Sequence, residues 1–261
     1  MTSNKISLNP SSIVRISGVV AVLLVFASVA VSLVKHLTGH PSAYGLIPLF
    51  NVDEEGNIPT FFSTFLLLFA AVLLGVITIL KKKQMDSYAS YWTVLSFGLF
   101  FMAVDEASAM HEKLIYPIRM LLGDGELGIF TFAWVIPFIL IICVLALFFV
   151  RFLLHLPPKT KLTFLVAAIL YIGGAIGLEL IEGLYTEAHG LDFTYSMMTA
   201  IEESLEMAGI IIFNWALLAY FSDNFSEVRI QVDAVHEEVD PLHKTLNGLT
   251  NVIQSSRGDK K

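Results

Sequence analysis

Charge is what this chain has least of. Only 15% of its 261 residues are Asp, Glu, Lys or Arg, against 56% hydrophobic, where a soluble domain is nearer a quarter charged and half apolar. Cysteine occurs once, as Cys143 within an apolar run. That excludes an intrachain disulfide and leaves the redox compartment unread. No Cys-x-x-Cys pair, phosphate loop, dinucleotide fingerprint or serine elbow is present, so the common nucleotide and hydrolase signatures are missing. A net charge of −7 gives no footing for a nucleic-acid partner.

What the chain has is long apolar runs, at 16–34, 60–80, 88–104, 127–150, 162–178 and 207–221. A helix needs roughly 20 apolar residues to cross a bilayer, within about 17–25. The pattern predicts an all-α, polytopic membrane bundle of six transmembrane helices over residues 1–222, with the lipid bilayer as its solvent. Lys5 and Arg15 precede the first run, which outlasts the roughly 7–15 residues of a signal-peptide core. Small residues in FASVAVS would suit cleavage, yet a retained first span is the expectation.

Lys and Arg gather in cytoplasmic loops. With six spans, Lys35, Lys113 and Arg119 are the only bases on one side, and the other thirteen share the other side with both termini. Both termini are therefore expected in the cytoplasm, in a plasma or inner membrane. The acids lean the opposite way. Fifteen fall on the outer side, from Asp53 to Glu206. Acids contribute little to orientation, so this second bias needs its own reason.

Three runs are cut short by carboxylates. Seventeen residues precede Asp105, seventeen precede Glu179, and fifteen follow Glu206. At about 1.5 Å per residue, Asp105 and Glu179 would sit a few Å inside the outer hydrocarbon edge, and Glu206 roughly 7 Å inside it. Helical spacing puts Asp105, Ser108 and Glu112 on one face, with Glu106 and His111 flanking it. Glu179 and Glu182 pair at i, i+3, and Glu202, Glu203 and Glu206 share about 100° of arc. Gly173, Gly174, Gly177 and Gly209 would let these helices approach closely.

Ionised carboxylates gathered near lipid repel one another unless they are protonated or held by a cation. The expected ligands are Asp105, His111, Glu112, Glu179, Glu182, Glu202 and Glu206. The expected cofactor is a divalent metal: Mn, Fe or Zn if the imidazole takes part, Ca if oxygens alone bind. The Glu-x-x-His pair of di-iron bundles is absent. The competing accounts are solvated helix ends, and acids favoured by a helix N-terminus for Glu202 and Glu203. Glu187, Asp192, Asp124 and Glu126 read as solvated loop charges, His189 as a loop histidine, and Asn214 as an interhelical hydrogen-bonding residue. The stretch LFNVDEEGNIPTFFST (49–64) reads as an amphipathic connector, with a lid over the acids as its second reading. Asp105, Ser108 and His111 are similar in kind to the Ser, Asp and His of the alkaline ceramidase group. The late His-x-x-x-His pair of that group is absent, and the family is not carried over.

In the tail, Val228, Val232, Val235, Val239, Leu242, Leu246, Leu249 and Ile253 alternate spacings of four and three. That is a heptad seam, interrupted at Pro241. It predicts a cytoplasmic amphipathic or coiled-coil helix, able to join copies of the chain or a cytoplasmic partner through residues 225–253. Within it, HEEVDPL (236–242) resembles the H-box of sensor histidine kinases. It departs from that pattern at Val239 and Asp240, and is taken as the coincidence of an acidic amphipathic helix. The leading functional expectation is a membrane-embedded, metal-dependent enzyme acting on a lipid-like substrate. A cation or proton transporter and a sensor signalling through the tail are the alternatives.

Overall fold

A computed structural model describes residues 10–225, apart from Asp124. The heptad seam and HEEVDPL lie outside the described residues. Among those described, every regular element is helical. The α-helices are α1 (Pro10–Thr38), α2 (Leu46–Phe50), α3 (Ile58–Lys83), α4 (Ala89–Ser108), α5 (Ile115–Leu122), α6 (Val135–His155), α7 (Pro158–Ile172), α8 (Glu179–His189) and α9 (Phe193–Asn224). A π-helical turn, Gly173–Leu178, joins α7 to α8 without a break.

Five helical stretches are long and apolar enough to cross a membrane: α1, α3, α6, α7 with α8, and α9. A sixth appears if α4 and the 112–122 segment, bent from each other by 75°, count as one. The apolar runs locate these helices but not their ends. The fourth run begins at 127, yet residues 127–134 form a short 3-10 turn and connector, so α6 starts at Val135. The sixth begins at 207, yet α9 starts at Phe193, where Asp192 Oδ1 accepts the Tyr195 N–H at 2.9 Å as an N-terminal cap. The acids of α9 are thus carried on its third and fourth turns rather than before it.

Local chemistry accounts for the other boundaries. Asn57 caps α3 by accepting the Thr60 N–H at 3.1 Å, with Pro59 in the first turn, where its missing N–H costs nothing. Lys81, Lys82 and Lys83 end α3, where cations favour the negative end of the helix dipole. Helix α9 is the hub, packing against α1, α3, α7 and α8. Asn214 ties it to α3, its Nδ2 donating to the Leu66 carbonyl at 3.0 Å.

Two glycines set the approach of α7 and its π turn to α9. A Cβ on Gly209 would lie 2.8 Å from the Tyr171 nitrogen and 2.9 Å from the Ala167 oxygen. A Cβ on Gly174 would lie 2.8 Å from the Glu202 carbonyl oxygen. Only a residue without a side chain permits this contact, and it brings the start of α8 against the acidic turns of α9.

Candidate metal centre

The acidic turns of α4, α8 and α9 meet at one end of the bundle. Their residues resolve into two groups. Ligand atoms of Glu179, Glu182 and Glu202 all lie within 4.8 Å of one another, and so do those of Glu55, His111 and Glu112.

The first group is the more buried. Glu182 is 1% exposed and Glu202 6% exposed. One oxygen of Glu182 accepts the Thr199 hydroxyl at 3.1 Å. The other, Oε1, is buried and has no donor among the described residues, and the Glu202 carboxyl stands within hydrogen-bonding reach of both Glu179 and Glu182. Two carboxylates in such contact need a shared proton or a shared cation. Glu179 is oriented from outside the group, its Oε1 accepting the Trp134 indole N–H at 3.0 Å.

The second group depends on a chain turn. The expected continuous helix face through Asp105, Ser108 and Glu112 is not formed. Helix α4 stops at Ser108, because Ala109 takes the left-handed conformation (φ 47°), and the chain folds back. Asp105 drives the reversal: Oδ1 accepts the His111 N–H at 2.9 Å and Oδ2 meets His111 Nδ1 at 2.8 Å. An Asp side chain bonding nearby backbone in this way competes with helix continuation. Both oxygens of Asp105, an expected ligand, are therefore engaged on His111. A carboxylate on one ring nitrogen fixes the imidazole and leaves Nε2 free, as at most histidines that bind metals. The His111 ring also packs on Trp134 with centroids 4.6 Å apart, so one tryptophan touches a member of each group.

Glu55 was not among the expected ligands. It arrives on the 51–57 loop, which is pinned along its length. The Val52 N–H donates to Ser28 Oγ at 3.1 Å, Asn57 Nδ2 donates to the Glu54 oxygen at 2.6 Å, and the Tyr195 hydroxyl donates to Asp53 at 2.9 Å. These bonds hold the loop where Glu55 stands beside His111 and Glu112. Glu55 keeps a solvent-facing side. Crowding by protein nevertheless pushes its carboxyl up to about 7, with His111 opposing and Glu112 and Asp105 adding to the rise.

The remaining expected residues separate. Glu206 belongs to neither group and meets the Tyr171 hydroxyl instead. Glu187, expected in solvent, accepts the Gly128 N–H at 2.6 Å and the Thr131 hydroxyl at 3.2 Å, closing the 128–131 turn onto α8. His189 stacks on Tyr185 and is exposed, and His36 packs edge-on against Phe193. The nearby bases do not neutralise the acids. Lys113 Nζ donates to the Ser108 carbonyl at 2.6 Å, and Arg119 to the Thr131 carbonyl at 2.9 Å. Among the described residues, no Lys or Arg forms an ion pair with either group.

The fold and this end together define a class: an all-helical protein with helices apolar enough to cross a membrane, and a carboxylate and histidine cluster that could hold a metal. Within that class the chain belongs to the family described as a domain of unknown function, DUF8692, whose model matches residues 18–221. No curated protein and no solved structure matches it.

Proposed function

We propose that this chain is an integral membrane metalloprotein, with six spans and both termini in the cytoplasm, that binds a divalent metal at the outer end of its bundle. The observation that carries the reading is Glu182. A carboxylate 1% exposed, with one oxygen lacking a donor among the described residues and two further carboxylates against it, is costly unless a cation or protons compensate it. Glu179, Glu182 and Glu202 would hold the ion. His111, Glu112 and Glu55 would form an adjoining position, with Asp105 orienting the imidazole. Oxygen ligands with an imidazole within reach suit Mn, Fe or Zn.

A metal so placed supplies a Lewis acid and an activated water or oxygen. The substrate class we propose is lipid-like. Helix α5, which follows Glu112 closely, is bent away from α4 and bears exposed Tyr116, Met120 and Leu121. Arg119 ties it back to the Thr131 carbonyl. Such a helix is suited to lie in the bilayer interface, beside the acids.

Elemental analysis of detergent-purified protein, beside a Glu179→Ala/Glu202→Ala variant, tests the reading. Stoichiometric Mn, Fe or Zn that is lost in the variant supports it. Stoichiometric Ca turns it toward a structural or sensing site. No retained metal in either protein overturns it.

A further inference from the structure

A second site lies at the end of the bundle away from the acids, where α3, α6 and α9 stop and α4 begins. A cavity of about 170 Å³ there is lined among others by Lys81 of α3, Asp86 and Tyr88 of the turn into α4, Trp92 of α4, His155 of α6 and Tyr220 of α9. Part of its wall is aromatic and buried. Trp92, 1% exposed, meets Phe152 edge-on with ring centroids 5.0 Å apart and Tyr220 at 4.9 Å. The rest of the wall is polar and accessible. His155 is exposed and its ring stacks on Tyr88 at 4.1 Å. The side chains of Lys81 and Asp86 keep 12% and 20% of their surface.

Asp86 positions the ammonium. Its Oδ1 accepts the Tyr88 N–H at 2.8 Å and its Oδ2 meets Lys81 Nζ at 3.1 Å. Both of its oxygens are therefore engaged, and Lys81 is held at the cavity wall. His155 adds a second donor, since an imidazole donates from at least one ring nitrogen in either protonation state. The surrounding charge is positive. Among the described residues, Lys81, Lys82, Lys83, Arg151, Lys159 and Lys161 stand at this end against Asp86 and Asp223.

A cytoplasmic bias of Lys and Arg accounts for that surplus. It does not account for an accessible cavity with an ammonium and an imidazole in its wall. Basic pockets of this kind between spanning helices take anionic lipid headgroups. Position favours a lipid over a soluble anion. Helix α3 ends here in three lysines, and Tyr88, Trp92 and Tyr220 are rings of the type found at headgroup level. Leu147 and Leu154, 78% and 68% exposed on α6 before His155, offer a surface for acyl chains.

We propose that this cavity binds the phosphate of an anionic membrane phospholipid, held by Lys81 and His155. The site rests on the membrane reading above, and not on the metal.

The test measures the thermal midpoint of the purified full chain in a non-ionic detergent. The probes are dihexanoyl phosphatidylglycerol, dihexanoyl phosphatidylcholine and inorganic phosphate. Midpoints that rise with ligand concentration give apparent affinities. The glycerol lipid should bind at least about tenfold tighter than the choline lipid, and inorganic phosphate should give no comparable shift. Lys81→Gln/Asp86→Asn removes the ammonium without leaving a lone carboxylate. It should lose about fivefold of the preference, the scale of one basic group beside an anionic lipid, and so should His155→Gln. Lys82→Gln/Lys83→Gln removes more charge outside the cavity and should keep most of it. Equal affinities for the two lipids in the wild-type protein would overturn the proposal. So would a shift by inorganic phosphate as large as that by the glycerol lipid, or a preference that survives in the cavity variants. If Lys81→Gln/Asp86→Asn does not fold, His155→Gln decides. Protein that stays soluble and monodisperse without detergent would overturn the membrane reading, and this site with it.

Discussion

The two ends of the bundle treat charge in opposite ways. At the α3–α4 turn, Lys81 meets Asp86 at 3.1 Å and lies 5.7 Å from the centre of the Tyr220 ring. The Tyr88 N–H donates to Asp86 at 2.8 Å. Burial would raise the Asp86 carboxyl, but the Tyr88 N–H and the Lys81 ammonium outweigh it and hold the group below its ordinary range. At the far end, carboxylates face carboxylates, while Lys113 and Arg119 donate to backbone carbonyls. One end contains its own counter-charges. Among the described residues the other has no Lys or Arg paired with its carboxylates, and this contrast underlies the metal proposal.

The contrast is broken most severely by pushing the acids apart. Gly174→Val places side-chain atoms where even a Cβ would lie 2.8 Å from the Glu202 carbonyl oxygen. It should cost about 1–3 kcal/mol in stability, as overpacking does, and should abolish metal retention. Gly75→Ala, whose Cβ would meet only Ser96 Oγ at 3.5 Å, should stay within about 0.5 kcal/mol and keep its metal. Thermal unfolding and metal content, read on both variants, check the pair.

A smaller effect should follow from loosening the groups that orient ligands. Asp105→Asn removes the carboxylate from His111, and Trp134→Phe removes the donor from Glu179. Each should weaken metal affinity about 10–100-fold, the range for such outer partners, with the fold retained. Competition against a chelator of known affinity would measure it.

Acidity should sharpen the contrast further. Glu55 holds its proton more tightly folded than unfolded, with its pKa raised from 4.5 to about 7. Its contribution to the stability of metal-free protein is therefore complete below about 4.5. It is lost as pH rises to about 7. Metal affinity should move oppositely, rising through the same window as the proton leaves. Unfolding in chelator and metal titration across pH 4–8 would show the crossing trends.

The smallest effect belongs to the self-compensated end. Asp86→Asn should cost no more than about 1 kcal/mol and leave metal content unchanged. The wild-type contribution of this pair is present above the ordinary carboxylate range and fades as pH falls through the depressed Asp86 value. A thermal shift well beyond that size would show that the pair does more than balance charge.

The sequence made the helical content legible because apolar runs of spanning length leave few alternatives. Their ends were not legible. The first half of α9 carries Glu202, Glu203 and Glu206, which interrupt an apolar run without interrupting a helix. The acids on α8 and α9 could be named from spacing because each pair is local to one helix. Glu55 could not, since its approach to His111 depends on how the 51–57 loop is pinned to Ser28 and Tyr195. The engagement of Asp105 with His111 was equally hidden. Helical geometry assumed α4 ran on through Glu112, and a reversal at Ala109 depends on side-chain bonds that periodicity does not register.

Either a cation or protons compensate Glu179, Glu182 and Glu202. Infrared difference spectroscopy of the purified protein, before and after chelation and with Glu182→Gln as the assignment control, separates the two. A metal held there leaves no protonated C=O band assignable to Glu182 in the loaded protein. Chelation then produces such a band, and the variant lacks it or shifts it. A protonated-carboxyl band already present in protein as purified, assigned to Glu182 by the variant and unchanged by chelator or added Mn, Fe or Zn, would contradict a metal there.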